Sequence, residues 1–208
     1  MFPVKKAEKT QRNMETIPNH ECRSCGYVIQ EENRTEIPDS YYSLLESTMQ
    51  YIGNRQFVER FHSYLKENER WFDPMMFRSE RHEDLFCREA RKPRNQSACM
   101  LTAIYLFSAD NTLWRNAKYQ LGNGVDKLLN LPLEGISITG YTLYKAALAL
   151  CRGTDDLTIS ELADRDSISP LVFGIICEAM TLRRYGIAAV KAKGMDGNSL
   201  INAVMGKR

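Results

Sequence analysis

The sequence predicts an all-α protein, an irregular multi-helix bundle with a loosely structured N-terminal extension. Three observations favour this class: apolar residues recur at helical spacing, capping residues precede these segments, and no alternating strand–helix–strand pattern occurs. The 208 residues, 43% of them hydrophobic and 26% charged, are enough to form a core without disulfides. We therefore expect a globular protein and not a disordered chain.

Composition divides the chain into four segments. Residues 1–36 show no sustained periodicity and form the predicted extension, residues 37–75 form a helical segment, and residues 76–190 form the helical core domain. Residues 191–208 are a basic tail. The net charge of +2 is too small to favour any class of partner by itself.

The first three helices are predicted from their caps and apolar stripes. One runs over about residues 40–52, and Asn54 can cap the next, on which Arg60 is assigned to the solvent-facing side. Ser79 can cap a third helix that ends before Pro93. The apolar stripe of the second helix consists of Phe57, Phe61, Tyr64 and Leu65.

Residues 97–107 are apolar on nearly every face of a helix, which predicts the centre of the core. Asp110 can cap the helix that follows. Residues 136–138 form the only plausible strand, and a second strongly apolar helix covers residues 141–152 until Gly153 stops it. The expected architecture is therefore helical throughout, apart from one short strand.

The last helices carry clear start signals. Thr158 and Glu161 have the spacing of a capping box, and Pro170 is well placed in a first turn. Residues 157–180 also have the spacing of a helix-turn-helix motif, but its second helix offers Phe173 and Ile176 where polar side chains should meet base edges. We therefore expect that helix to be buried and not to read DNA.

Hydropathy and cysteine usage predict a cytoplasmic protein without membrane contact. No run approaches the roughly 20 apolar residues that a spanning helix needs, and the basic residues 1–12 are followed by no apolar segment of a secretory signal. The six cysteines are scattered, mostly within apolar helical patterns, which favours reduced thiols over a disulfide framework.

The sharpest chemical signal is a Cys-x-x-Cys motif formed by Cys22 and Cys25. A glycine follows the motif directly, and His20 lies two positions before it. Two thiolates at this spacing form one knuckle of a zinc site, so zinc is the candidate cofactor, with these three residues as ligands. A fourth ligand would have to come from a second copy or from another residue of this chain. The alternative is a pair of reduced, unliganded cysteines. Residues of this chain that qualify as the further ligand are His62, His82 and Cys87.

Basic residues gather near the C-terminus. They can contact phosphates or an acidic protein surface. The alternative for the two arginines is a structural role, since cations near a helix C-terminus favour its dipole. The candidate contact residues are Arg183, Arg184, Lys191 and Lys193.

The sequence shows no phosphate loop, nucleophile elbow or zinc-protease motif, and no convincing pair of carboxylates. These absences favour a protein that is not an enzyme. An enzyme of unrecognised type is a third alternative, for which a deep pocket lined by groups with perturbed pKa values would be the first sign.

One set of residues from Phe77 onward carries a resemblance to a known family: Phe77, Arg78, Ser79, His82, Thr139, Gly140, residues 145–150, Gly153, Glu178, Ala179, Met180, Leu182, Arg183 and Tyr185. In these residues the chain resembles a family of small helical proteins of unknown function, encoded on phages and integrative elements of Gram-positive bacteria. Two departures are Arg184, an additional arginine before the tyrosine, and Gly186 where proline is expected. The resemblance implies a mobile-element accessory protein and brings no catalytic residues.

The leading hypothesis is a non-enzymatic, cytoplasmic protein that binds another macromolecule. The resemblance implies a host or defence protein as the target, for example a nuclease that the element must inhibit, as an anti-CRISPR-type inhibitor does. The alternative is a nucleic-acid-binding regulator that uses the zinc knuckle and the basic tail, with binding that weakens steeply as salt rises.

Overall fold

The structure is a computed structural model, and it describes residues 41–68 and 77–192. Within these ranges the chain forms ten α-helices and no strand, which confirms the predicted all-α bundle. The predicted N-terminal extension lies outside the described residues. The helices are α1 Tyr41–Met49, α2 Arg55–Asn68, α3 Glu80–Ala90, α4 Ala98–Ser108, α5 Asn111–Ala117, α6 Val125–Leu128, α7 Ile138–Arg152, α8 Ile159–Ala163, α9 Pro170–Tyr185 and α10 Ile187–Ala192.

Helix α4 is the centre of the bundle, as its apolar sequence predicts. Every residue from Met100 to Ser108 is buried, and α3, α5, α7 and α9 all pack against it. The helix begins where the hydroxyl of Ser97 accepts the N–H of Met100 at 3.3 Å. Because each buried aliphatic or aromatic side chain contributes roughly 1.5–3 kcal/mol, the burial of α4 is a major source of core stability.

Helix α9 is the second buried element. Its residues from Val172 to Leu182 are all buried, and it packs against α1, α4, α7 and α10. The prediction that this helix is buried is therefore confirmed. Among the described helices, none is long and apolar enough to cross a lipid bilayer.

The predicted strand at residues 136–138 is wrong. Ser137 is the N-cap of α7, and its hydroxyl accepts the N–H of Gly140 at 2.9 Å, so the helix begins at Ile138. The cap satisfies one of the free N–H groups of the first turn. No strand within the described ranges is available to pair with a segment of three residues.

The expected solvent exposure of Arg60 is also wrong. Its side chain is only 5% exposed, and it donates hydrogen bonds to the carbonyls of Leu162 and Asp164, both at 2.7 Å, and of Ile168. The guanidinium also lies 4.4 Å from the ring centre of Phe173. These carbonyls lie in the last turn of the short helix α8 and in the segment after it, where they need donors, which explains why a charge is held here.

The remaining predicted caps are confirmed. The side chains of Asn54, Ser79 and Asp110 each accept backbone N–H groups of the helix that follows. Thr158 and Glu161 form the capping box of α8, and Gly153 ends α7 in the left-handed conformation with φ of +69°. Most helices therefore begin and end through hydrogen bonds between residues that are close in sequence.

Candidate interaction surface

Several predicted site residues lie outside the described residues. These are Cys22, Cys25 and His20 of the zinc knuckle and Lys193 of the basic tail. The zinc knuckle therefore stays a prediction. Among the residues that the structure does describe, no group of three or more histidine, cysteine, aspartate or glutamate side chains could hold a metal ion.

Both ring nitrogens of His82, one of the candidate further zinc ligands, form hydrogen bonds within the protein. Nδ1 accepts the N–H of Arg78 at 3.1 Å, and Nε2 lies 2.8 Å from the carbonyl oxygen of Tyr105. Because a carbonyl oxygen only accepts, Nε2 carries the proton and the imidazole is neutral. Burial lowers the pKa of His82 to about 4. This histidine ties α3 to α4 and has no nitrogen left for a metal.

The predicted contact residues Arg183 and Arg184 both bind backbone carbonyls. Nε of Arg183 donates to Leu150 at 2.8 Å, and Nη1 of Arg184 donates to Ser47 at 3.2 Å. Leu150 lies in the last turn of α7 and Ser47 in the last turn of α1, where carbonyls lack helical partners and cations are favourable. Lys191 is exposed on α10.

A buried polar cluster lies between α1, α2 and α9. The carboxylate of Glu178 accepts the hydroxyl of Tyr64 at 2.6 Å on Oε1 and the hydroxyl of Tyr41 on Oε2. Burial, and then the charge of Glu178, raises the pKa of both phenols well above its ordinary value, so they remain donors. All three residues are buried. The cluster therefore joins three helices and is not placed to meet a substrate.

The exposed apolar residues are concentrated in one part of the chain. Six large hydrophobic side chains in the described ranges are exposed, and four of them come from residues 119–141. Ile138 is 88% exposed and Tyr141 is 50% exposed. They are three residues apart in α7 and so share one face of the helix. We call Tyr119, Leu133, Ile138 and Tyr141 the α5–α7 surface.

Hydrogen bonds to Asp110 fix the start of α7. Oδ1 of Asp110 accepts the N–H groups of Thr112 and Leu113, while its Oδ2 accepts the hydroxyl of Ser137 at 3.1 Å. A Cβ on Gly140 would lie 3.0 Å from Cγ of Asp110, which shows how closely the two helix starts approach. The exposed side chains of α7 are thus carried on a fixed first turn.

The other two members of the surface are positioned by the segment before α7. Nδ2 of Asn116 donates to the carbonyl of Pro132 at 2.9 Å, which joins the loop that carries Leu133 to α5. Tyr119 is 72% exposed just after α5, with Nζ of Lys118 4.7 Å from its ring centre. Tyr119 therefore adds an exposed aromatic ring, with a positive charge beside it, to the exposed apolar residues of this part of the chain.

Sequence reasoning missed this surface because it assigned Ile138 to a strand. A signal was present: Ser137, a residue type favoured at the N-cap, stands directly before the apolar run of α7. With the helix begun at Ile138, the apolar residues of α7 cover more of its circumference than one buried stripe needs. Such an excess on a helix is typical of a second contact.

We compared the chain with protein-family models, curated proteins and solved structures, and none matches it. The resemblance to a family of mobile-element proteins is therefore carried by the residues quoted above alone, and it stays a prediction. The geometry of the site is the basis for any function.

Proposed function

We propose that this protein is a non-enzymatic accessory factor that acts by binding another protein through the α5–α7 surface. The observation that carries the proposal is Ile138, a large aliphatic side chain 88% exposed on an anchored first turn, with Tyr141 beside it. Clustered apolar exposure marks interaction sites, and tyrosine is enriched among the residues that dominate binding energy. A preformed surface also loses little entropy on binding.

The charges beside the surface indicate what the partner offers. Arg115 and Lys118 are exposed on the α5 side, and Lys118 lies over the ring of Tyr119. An apolar groove with an acidic rim complements this arrangement, since interfaces place opposite potentials together around an apolar centre. The partner we propose has that chemistry.

The proposed target is a host or defence protein, for example a nuclease, in the setting that the family resemblance implies. The net charge of +2 does not suit imitation of a nucleic acid, which requires a strongly negative surface. Inhibition would therefore follow from apolar docking that blocks the target or holds one conformation of it.

The test uses two matched variants that each place an acid in the first turn of a helix. Ile138→Asp changes the α5–α7 surface, and Leu171→Asp changes the exposed first turn of α9 elsewhere. Acids are favourable at this position, so both variants should fold. The experiment is affinity capture from host cells, with a photo-crosslinker at residue 138 or 171.

We expect a stoichiometric partner that cross-links at residue 138 and whose affinity falls at least roughly tenfold in Ile138→Asp but not in Leu171→Asp. Equal capture by both variants would place the contact elsewhere. Failure to recover any stoichiometric partner would count against the function itself.

The nucleic-acid alternative rests on Cys22, Cys25 and His20, which lie outside the described residues, and on the basic tail, of which the structure describes residues 191 and 192. It predicts about one zinc per chain, lost in a Cys22→Ser, Cys25→Ser double variant, and DNA or RNA binding that weakens steeply with salt. Metal analysis and a gel shift at low salt check both points. No shift would remove this alternative.

A further inference from the structure

Two cysteines from different helices lie against each other where α4 begins and α7 ends. Sγ of Cys99 lies 3.5 Å from the carbonyl oxygen of Cys151, and Sγ of Cys151 lies 3.4 Å from the carbonyl oxygen of Cys99. Both side chains are partly exposed, and both thiols are free in the structure. The reciprocal contacts bring the two sulfur atoms to the same junction.

The junction makes the two thiols chemically unequal. The adjacent thiol of Cys151, and then the charge of Arg183, lowers the pKa of Cys99 to about 7 against the opposing effect of burial. The adjacent thiol of Cys99, together with burial, raises the pKa of Cys151. Cys99 also lies in the first turn of α4, where the helix dipole favours a thiolate.

The other two described cysteines provide a contrast. Cys87 and Cys177 are buried. Burial raises the pKa of Cys87 to about 11 and that of Cys177 well above its ordinary value. They are therefore internal references for an unreactive thiol in the same chain.

We propose that Cys99 and Cys151 form a modification site at which a hydroperoxide closes an intramolecular disulfide. The Cys99 thiolate attacks the O–O bond, which breaks; a sulfenic acid forms on Cys99 and the other oxygen leaves as hydroxide or alkoxide and is protonated. The Cys151 sulfur then attacks the Cys99 sulfur. The S–S bond forms, and the sulfenic hydroxide leaves as water with the Cys151 proton.

The atoms and electrons of this two-step oxidation balance. Two thiols lose two electrons and two protons, and one hydroperoxide is reduced to one alcohol and one water, or to two waters when the oxidant is hydrogen peroxide. The product is a covalent link between the N-terminus of α4 and the C-terminus of α7, residues 52 apart in the chain. The site lies at the C-terminal end of α7, whereas Ile138 and Tyr141 of the α5–α7 surface lie in its first turn.

The first experiment treats the full-length protein with stoichiometric hydrogen peroxide, blocks free thiols and maps peptides without reduction. We expect a Cys99–Cys151 peptide two hydrogens lighter than its parts, restored by dithiothreitol, in monomeric protein. Cys99 and Cys151 that remain open to alkylation, or links only to other cysteines or between chains, would overturn the proposal. Peptide mapping separates this link from one between Cys22 and Cys25.

The second experiment assigns the roles with near-isosteric variants. In Cys151→Ser the sulfenic acid of Cys99 has no resolving thiol, so dimedone labelling of Cys99 should rise at least about tenfold over the wild type. Cys99→Ser should leave no dimedone label at residue 99 and no disulfide to Cys151. Cys87→Ser should change neither the dimedone labelling of Cys99 nor the Cys99–Cys151 disulfide. Unchanged dimedone labelling in Cys151→Ser would show that Cys151 does not resolve the intermediate and would overturn the assignment.

Discussion

The hydroxyl of Ser137 donates to the carboxylate of Asp110 over 3.1 Å, so one carboxylate joins the starts of two helices. Asp110 caps α5 through the N–H groups of Thr112 and Leu113, and Ser137 caps α7 through the N–H of Gly140. The two caps are therefore one hydrogen-bonded unit. It determines where the first turn of α7 displays its exposed side chains.

Replacing Asp110 should destabilise the protein through both helices. Asp110→Ala removes two accepted N–H bonds and the partner of Ser137, so the free energy of unfolding should fall by about 2 kcal/mol. Asp110→Asn keeps a side-chain oxygen for the cap and should lose less than about half of that. Urea denaturation measures both values. Equal losses in the two variants would mean that stability depends on the negative charge of Asp110 and not on its capping oxygen.

Gly140→Ala tests how closely α7 approaches α5. The new Cβ would lie 2.7 Å from Cγ2 of Ile136 and 3.0 Å from Cγ of Asp110. The alanine gains about 1 kcal/mol of helix propensity, whereas overpacking costs about 1–3 kcal/mol. The side chain of Asp110 is held by several hydrogen bonds, so we expect a net loss of stability.

The control for this substitution is Gly53→Ala. A Cβ on Gly53 would meet no atom within 4 Å, and its backbone does not need the left-handed region. We expect a change smaller than about 0.5 kcal/mol in thermal or urea unfolding. A stable Gly140→Ala protein would show that the start of α7 can shift, and the fixed-surface argument would fail.

Tyr64→Phe tests the buried cluster around Glu178. The variant removes a 2.6 Å hydrogen bond to a buried carboxylate without changing the shape of the ring. Because the bond involves a charged acceptor, we expect a loss of about 2 kcal/mol in urea denaturation. Tyr119→Phe, at an exposed position, is the matched control and should leave stability unchanged. Similar values for the two variants would contradict a structural role for the cluster.

His82 predicts a dependence of stability on pH. Its pKa is lowered in the folded protein to about 4 from an ordinary value of 6.5. The unfolded chain therefore binds a proton that the folded protein does not, so stability is complete above pH 6.5 and falls as the pH drops toward 4. Between about pH 7 and pH 5, before most carboxylates titrate, the loss should be about 2 kcal/mol.

Urea denaturation at several pH values measures this slope. The control is His82→Gln, which keeps polar groups in the site but cannot titrate there. Its stability at pH 7 should be lower, and its curve over the same interval should be nearly flat. An equally steep curve in the variant would assign the titration to another group.

Most helix boundaries were predictable because their signals are local. Ser79, Ser97, Asp110 and Thr158 each bind N–H groups two or three residues onward, so the pattern that marks a cap is contained in one turn. The candidate surface was less predictable, because whether Ile138 is covered depends on which helices pack beside α7 and how far their side chains reach.

Burial of charged groups was decided by the tertiary structure in the same way. Arg60 has the spacing of a solvent-facing residue on α2, yet carbonyls at the C-terminal end of α8, more than 100 residues later, require its donors and enclose it. The contact between Cys99 and Cys151 likewise exists only because α4 packs against α7. Helix type, caps and the apolar centre follow from interactions over a few residues, whereas exposure and pairing depend on contacts between distant segments that no local pattern records.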